Sequence, residues 1–425
     1  MKQMLQNYRD VMGVPSVRVV LLAAAVSVAG DSAAMVALLL RVHAGGVGPW
    51  AVALLLGTFA LPVVATMGPA GALADRADPR RVLVVTALVQ AGAAAGLAVV
   101  DGLAATLVLV LVLQTGFALG NPAWSAVVPT LVPSGAAGRV VALQQALRGV
   151  AGPAGAGLGG VLVQWHGPSA ALALDALSFL VLAGAAATLR RAVRERPAAD
   201  ASAPPRRWTA TLLPRDGVAA LRDDPALGVL VLALLPLVVT VESVNAVEVF
   251  LLRDVLGASA AQFGLAETVH GGAAVVGAVL SGAATTRTSR VRAVLGAMAL
   301  IGLGQAGQSM APGYLTYLVL GLGLGLLLGV VNSLVFGLLL DELDATHRGA
   351  VVALVSGLSR GAGALALVLG GTIGTLAGPR TAYLVAGVGT LLVAAVAAWV
   401  VHRSVDVTST ARASRGTPDP STLEV

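Results

Sequence analysis

Apolar runs about as long as a bilayer crossing recur about twelve times along this chain, and that recurrence constrains the fold more than any other feature. A helix needs about 20 apolar residues to cross about 30 Å of hydrocarbon. Such runs fall roughly at 16–42, 49–73, 82–100, 103–131, 140–164, 168–189, 226–251, 262–284, 293–311, 313–340, 350–376 and 381–402. Only 11% of the 425 residues are charged, against roughly 25% in a soluble protein. Water cannot cover such a surface, so lipid must. Within lipid the backbone has to satisfy its own hydrogen bonds, which leaves helices or a closed barrel. The run Val108-Leu-Val-Leu-Val-Leu113 lacks the alternation of a barrel strand. The expected fold class is therefore an all-α membrane protein with twelve transmembrane helices.

The formal charge of +6 could suggest nucleic acid, but its distribution argues for topology instead. With the N-terminus placed in the cytoplasm, 22 of the 27 Lys and Arg residues fall on the inner side and only Arg41, Arg253 and Arg380 on the outer side. Arg148 and Arg360 fall within spans. This is the positive-inside bias, and it predicts a multi-pass plasma-membrane protein with both termini cytoplasmic. The first fifteen residues are polar and the first run is full length, so no cleavable signal peptide is expected. Cysteine is absent, which excludes disulfides and thiolate chemistry. The Gly-rich strings lack a Gly-Lys-Ser/Thr ending, and the five His are scattered. No enzyme, cofactor, metal site or nucleic-acid partner is expected.

The runs divide into two sets of six. The expected organisation is a cytoplasmic segment at 1–15, a six-helix bundle at 16–189, a cytoplasmic linker at 190–225, a second bundle at 226–402 and a disordered cytoplasmic tail at 403–425. The linker is rich in Arg, Pro and Ala, and its Arg206-Arg207-Trp208 reads as part of a solvated, topogenic segment. The halves resemble each other at an offset near 211 residues: Asp31 matches Glu242, Asn121 matches Asn332, Gly71-x4-Arg76 matches Gly282-x4-Arg287, and Arg148-Gly149 matches Arg360-Gly361. Duplicated bundles with a site between them are the architecture of alternating-access carriers.

The loop Gly71-Ala-Leu-Ala-Asp75-Arg76-Ala-Asp-Pro-Arg80-Arg81 resembles the signature between helices 2 and 3 of the major facilitator superfamily. Asn121-Pro122-Ala-Trp124, Pro129-Thr-Leu-Val-Pro133, Gly152-Pro153, Gly159-Gly160, Ala173-Leu-Asp175-Ala-Leu-Ser178-Phe179 and Asp254-Val-Leu-Gly257 resemble its macrolide-efflux and enterobactin-exporter-like branch. That resemblance implies two pseudo-symmetric six-helix bundles, with spans 1, 4, 7 and 10 around a central cavity. It also implies a cytoplasmic gate loop of Gly71, Asp75, Arg76, Arg80 and Arg81 that latches the inner side.

Ionisable groups inside a bilayer cost roughly 3 kcal/mol each on insertion scales, so each is a functional candidate. Asp31, in the middle of span 1, and Glu242, at the matching depth in span 7, can load and release a proton from a half-desolvated cavity. Glu267 and His270, three apart in span 8, read as a proton-passing or proton-holding pair. Arg148 and Arg360 are expected to face acids, neutralising Asp31 and Glu242 in one state of the cycle. Asp175 reads as structural. The substrate cavity is expected to include Gln114, Asn121, Trp124, Asn245, Glu248, Asn332, Ser333 and Phe336. Gly149, Gly152, Pro153, Gly159 and Gly160 read as helix-packing positions that resemble a drug–proton antiporter motif with one residue too many. The expected partners are a small-molecule substrate, protons and membrane lipids, and the expected state is a monomer. Together these readings describe a carrier exporting a small amphipathic organic molecule by proton antiport, as in multidrug efflux. The rivals are an importer or facilitator of a small nutrient and a non-transporting membrane receptor.

Overall fold

The computed structural model describes residues 12–66, 70, 73, 77–189, 225–342 and 345–415. Twelve long helices follow one another: α1 Pro15–Ala44, α2 Pro49–Ala65, α3 Pro79–Val99, α4 Leu103–Val127, α5 Ala137–His166, α6 Pro168–Thr188, α7 Pro225–Glu242, α8 Ala260–Leu280, α9 Arg287–Ser309, α10 Tyr314–Glu342, α11 Ala345–Ala377 and α12 Pro379–Arg415. Among the described residues, nine helices are long and apolar enough to cross a membrane unaided. A bent pair around α7 supplies a tenth, α2 is a shorter apolar helix, and α9 opens on the polar run Arg287-Thr-Ser-Arg290-Val-Arg292. The helix expected over 226–251 is broken: α7 stops at Glu242, passes through a 3-10 turn at Ser243–Ala246 and resumes bent by 45°. α12 continues past 402 to Arg415, over the first part of the segment expected to be disordered. Gly71, Asp75, Arg76 and the linker up to 224 lie outside the described residues. Arg80 and Arg81 form the first turn of α3, which is capped by Asp78 accepting from the Arg80 N–H at 3.0 Å.

The two ends of the bundle follow different local rules. At the far end, opposite the termini, connections are short and hinge on glycine. All six positive-φ residues are glycines there: Gly46, Gly48, Gly102, Gly167, Gly257 and Gly378. Pro49, Pro168 and Pro379 start the helices that leave these turns, where a missing N–H costs nothing. The three arginines outside the positive-inside pattern all sit at this end and bind main-chain carbonyls. Arg41 donates to Leu97 O at 2.6 Å, Arg380 to Ser309 O at 2.7 Å and Ala311 O at 2.9 Å, and Arg253 to Ala258 O. Each saturates carbonyls that the last turn of a helix or its loop leaves open.

Packing repeats between the halves. α1 packs on α5 and α6, and α3 on α4 and α6; six helices later, α7 packs on α11 and α12, and α9 on α10 and α12. Two seams join the halves, α5 against α8 and α2 against α11. Glycines set both. On α5, a Cβ at Gly155 or Gly159 would strike the backbone of Ala29 or Ala33 on α1, while one at Gly160 would strike Gly264 on α8. On α11, Gly370 faces Ser243 of its own half and Gly371 faces Ala53 and Pro49 of the other. Each seam helix therefore carries two small-residue faces, one inward and one across. Large apolar side chains face outward: Val85, Val108, Leu177, Leu303 and Leu392 are 58%, 59%, 58%, 56% and 62% exposed, which suits acyl chains and not water. Trp165 sits at the far end of α5 and Trp399 where the apolar stretch of α12 runs out at Arg403, which stacks on it at 4.0 Å, as in an interfacial aromatic belt.

Three cores follow. One gathers residues of both halves at the far end, from Leu38 and Val52 to Leu251, Phe263 and Tyr383. At the terminal end each half has its own: Val17, Leu83, Val127 and Val140 in one, Met298, Leu334, Val335 and Val351 in the other. Among the described residues, the halves share a core at the far end and have separate cores towards the termini.

Candidate functional site

Where the shared core ends, the halves part around a crevice. One chamber, about 480 Å³, is lined by Asp31, Met35, Gln90, Gln114 and Phe117 from the first half and by Glu267 and Gly271 from the second. Asp31 and Glu267 thus line one space, each from a different half. A second chamber of about 350 Å³ shares Met35, Leu39 and Glu267 with the first and adds Glu242, Asn245, Glu248, His270, Gln305, Gln308, Tyr317 and Tyr383. A gap of about 50 Å³ runs behind Asp31 to Arg148, Gln144, Asn121 and Trp124. Among the described residues, no Lys or Arg lines either large chamber.

The walls differ in chemistry. On the first half, Arg148 is the cation whose field reaches Asp31. Its Nε is buried without a hydrogen-bond partner. On the second half, Asn245 Nδ2 donates to Glu242 Oε2 at 2.6 Å, so the break after α7 turns a carboxylate–amide pair into the chamber. Tyr317 donates its hydroxyl to Glu248 Oε1 at 2.7 Å and lies 2.9 Å from the hydroxyl of Tyr383. Both rings are buried, packed edge to face with centroids 6.2 Å apart. Glu248 is therefore fixed in place and is not a solvated rim charge. Thr390 bridges Thr240 and Gln305 at 2.8 and 3.0 Å behind it.

The far end closes over these chambers. His43, at the end of α1, lies 2.7 Å through Nε2 from Asp254 Oδ1 of the second half, and its ring meets Phe250 edge to face at 5.1 Å. Thr268 donates to Pro153 O at 2.7 Å across the α5–α8 seam, and Gln164 Oε1 accepts from the Ala260 N–H at 3.1 Å.

The family profile described as Major Facilitator Superfamily matches residues 20–251 and again 237–423. The chain belongs to the major facilitator superfamily. Solved structures agree on the fold: a point mutant of the nucleoside transporter NupG superposes with a TM-score of 0.74 at 13% identity, covering 90% of this chain and 98% of that one. NupG itself gives 0.71 at the same identity and coverage. No curated protein matches the sequence. The chain is thus a multi-pass membrane transporter of this superfamily, and its crevice is the space between the two bundles of the superfamily fold.

Within that fold several expectations change. Glu267 and His270 both line the second chamber, together with Glu242 and Glu248 of the broken seventh helix. Arg360 is exposed and lines none of the chambers, so it does not face Glu242. Ser333 accepts a hydrogen bond from Ser281 at 2.7 Å in the α8–α10 seam, away from the chambers. Asn332 and Phe336 are exposed and line neither chamber; they continue the stripe of Leu328 one and two turns towards the terminal end. Gly149 and Pro153 face Val275 and Gly271 across the α5–α8 seam, Gly152 faces Ser32, and Gly159 faces Ala33. The sequence reading passed over Gln90, Phe117, Tyr317 and Tyr383. Buried tyrosines that need a hydroxyl partner were the available signal.

Proposed function

We propose that this transporter exports a small amphipathic organic cation or zwitterion, against proton entry, by alternating access. The observation that carries this reading is that Asp31 of one half and Glu267 of the other line one chamber, with no Lys or Arg among the described residues lining either large chamber. Carboxylates contributed from both sides of a separable seam attract a cation when ionised and release it when protonated, so cargo and proton compete for the same charge. The mixed lining of Phe59, Phe117 and Leu39 with Gln90 and Gln114 suits an amphipathic molecule, and a volume of several hundred Å³ suits a small one. With the positively biased terminal end in the cytoplasm, the fused far end corresponds to a closed outer gate and the parted end to an inward-facing state.

The test is flux in proteoliposomes. Purified protein is first screened by thermal shift against organic cations, antibiotics, siderophores and dyes; stabilising compounds are then assayed for movement against an imposed proton gradient. Export is expected to follow the gradient, and Asp31→Asn is expected to abolish it while the protein still folds in membranes. Full, pH-responsive export by Asp31→Asn would refute the proton role. Gradient-driven uptake from the far side would select the nutrient importer, a reading kept open by the shared fold with a nucleoside transporter. Absence of any flux would select the receptor.

A further inference from the structure

Asp175 lies behind Asp31 on α6, 1% exposed, and its Oδ2 has no hydrogen-bond partner. Among the described residues, Ser178 is the side chain that bonds Asp175; its hydroxyl lies 3.2 Å from Asp175 Oδ1 and 2.8 Å from the Asp175 carbonyl oxygen. The approach to α1 is close enough that a Cβ on Gly30 would stand 2.8 Å from Asp175 Oδ1 and 2.5 Å from Ser178 Oγ. Gly30 is thus the residue that lets the two helices bring Asp175 against the Gly30–Asp31 step.

The charge balance around this spot is uneven. α6 packs on α1, α3 and α5. At this depth α1 brings Asp31, α5 brings Arg148, and α3 brings only the neutral Thr86 and Gln90. Asp31 therefore stands between the carboxyl group of Asp175, packed against Gly30, and the guanidinium of Arg148 across the small gap, in a lipid-buried bundle. Both acids ionised would leave an uncompensated buried charge, which is strongly unfavourable. One proton restores neutrality. The orphaned Oδ2 of Asp175 is suited to carry it, because an ionised carboxylate there would lack the donors that a buried anion needs.

We propose that Asp31 and Asp175 form a two-carboxyl site that binds one exchangeable proton, stored on Asp175 and passed to the crevice through Asp31. The two residues have different access: Asp31 lines the chamber, and Asp175 is sealed behind it. In transfer, the Asp175 O–H bond breaks and the proton adds to an Asp31 carboxylate oxygen, leaving the charge of the pair unchanged. Release from Asp31 to chamber water then leaves two carboxylates against Arg148, a state that an arriving cation neutralises. The inference rests on the proton-antiport reading and deepens it by naming the residue that holds the proton. It also removes Asp175 from the class of packing residues.

Infrared difference spectroscopy on the full chain in lipid, without cargo, tests this. At neutral pH the wild type is expected to show the carbonyl stretch of a protonated carboxylic acid that Asp175→Asn removes. Asp31→Asn is expected to lose the same band, because the single remaining acid then takes the charge opposite Arg148. A band absent from Asp175→Asn but retained in Asp31→Asn would mark a permanently neutral packing acid and overturn the shared site. A spectrum unchanged by Asp175→Asn would overturn the assignment to Asp175. Should Asp175→Asn fail to accumulate in membranes, isotope-labelled aspartate decides the matter: the shifted band must be present in labelled wild type and missing from labelled Asp31→Asn. The antiport reading fails separately. A band that behaves as expected in a protein whose flux ignores the proton gradient would leave the site standing and remove its role in coupling.

Discussion

At the far end, residues of α1, α2, the broken seventh helix, α8 and α12 share one core, and backbones touch across the seam at Gly160 and Gly264. At the terminal end each half keeps a core of its own, and contacts such as the 2.5 Å pair of Arg290 and Asp341 stay within one half. The difference teaches where a motion can occur. A core built separately in each half moves as a rigid piece, whereas a seam of glycines and a few polar links can part without either bundle repacking. The crevice acids sit between the two regimes, below the fused end and above the parted one.

Four substitutions break or sharpen this contrast, read as the rate at which a unique cysteine at Met35→Cys is modified by a water-soluble thiol reagent from the far side. The largest effect is expected for Gly160→Leu. Its side chain would enter a space where a Cβ already lies 2.8 Å from the Gly264 Cα, an overpacking worth about 1–3 kcal/mol or more. The seam should open and the rate rise about tenfold or more. Tyr317→Phe comes next. It removes the hydroxyl that serves Glu248 and Tyr383, leaving a partly buried carboxylate without its donor at about 1–3 kcal/mol. A lower Tm and a several-fold faster rate are expected. His43→Ala removes a cross-half pair whose Asp254 side chain is 56% exposed, and such pairs are worth about 0.2–1 kcal/mol; the rate should change by no more than a few-fold. Asp341→Asn should leave the rate unchanged, since its partner Arg290 lies in the same half. A large effect there would show that the terminal ends are coupled directly and would undo the contrast.

Much of this was legible in the sequence, for identifiable reasons. The all-helical membrane fold was readable because lipid imposes a length on every apolar run, and its repeat because Asp31 and Glu242, or Asn121 and Asn332, recur at one offset. The glycines of α5 could be read as packing positions but not assigned partners. Helical spacing gives faces and not neighbours, and only the fold shows that Gly155 and Gly159 serve α1 while Gly160 serves α8. The break after Glu242 left no clear mark, because Ser243-Val-Asn-Ala is as compatible with a helix as with a 3-10 turn. It is this break that brought Asn245 onto Glu242 and set Glu248 against Tyr317. Arg360 matched Arg148 in sequence, yet only Arg148 lines the gap that reaches Asp31, so the internal symmetry preserves the scaffold better than the charges.

The absence of cysteine permits the measurement that tests the central claim most directly. Two spin-labelled pairs would be followed in lipid: Val47→Cys with Leu376→Cys across the far end, and Ser125→Cys on α4 with Phe336→Cys on α10 across the terminal end. The account predicts a short far-end and a long terminal-end distance in the state described, with a second population in which both are reversed and whose share changes with pH. Distances that lengthen together, or a single population at every pH, would contradict alternating access through this crevice.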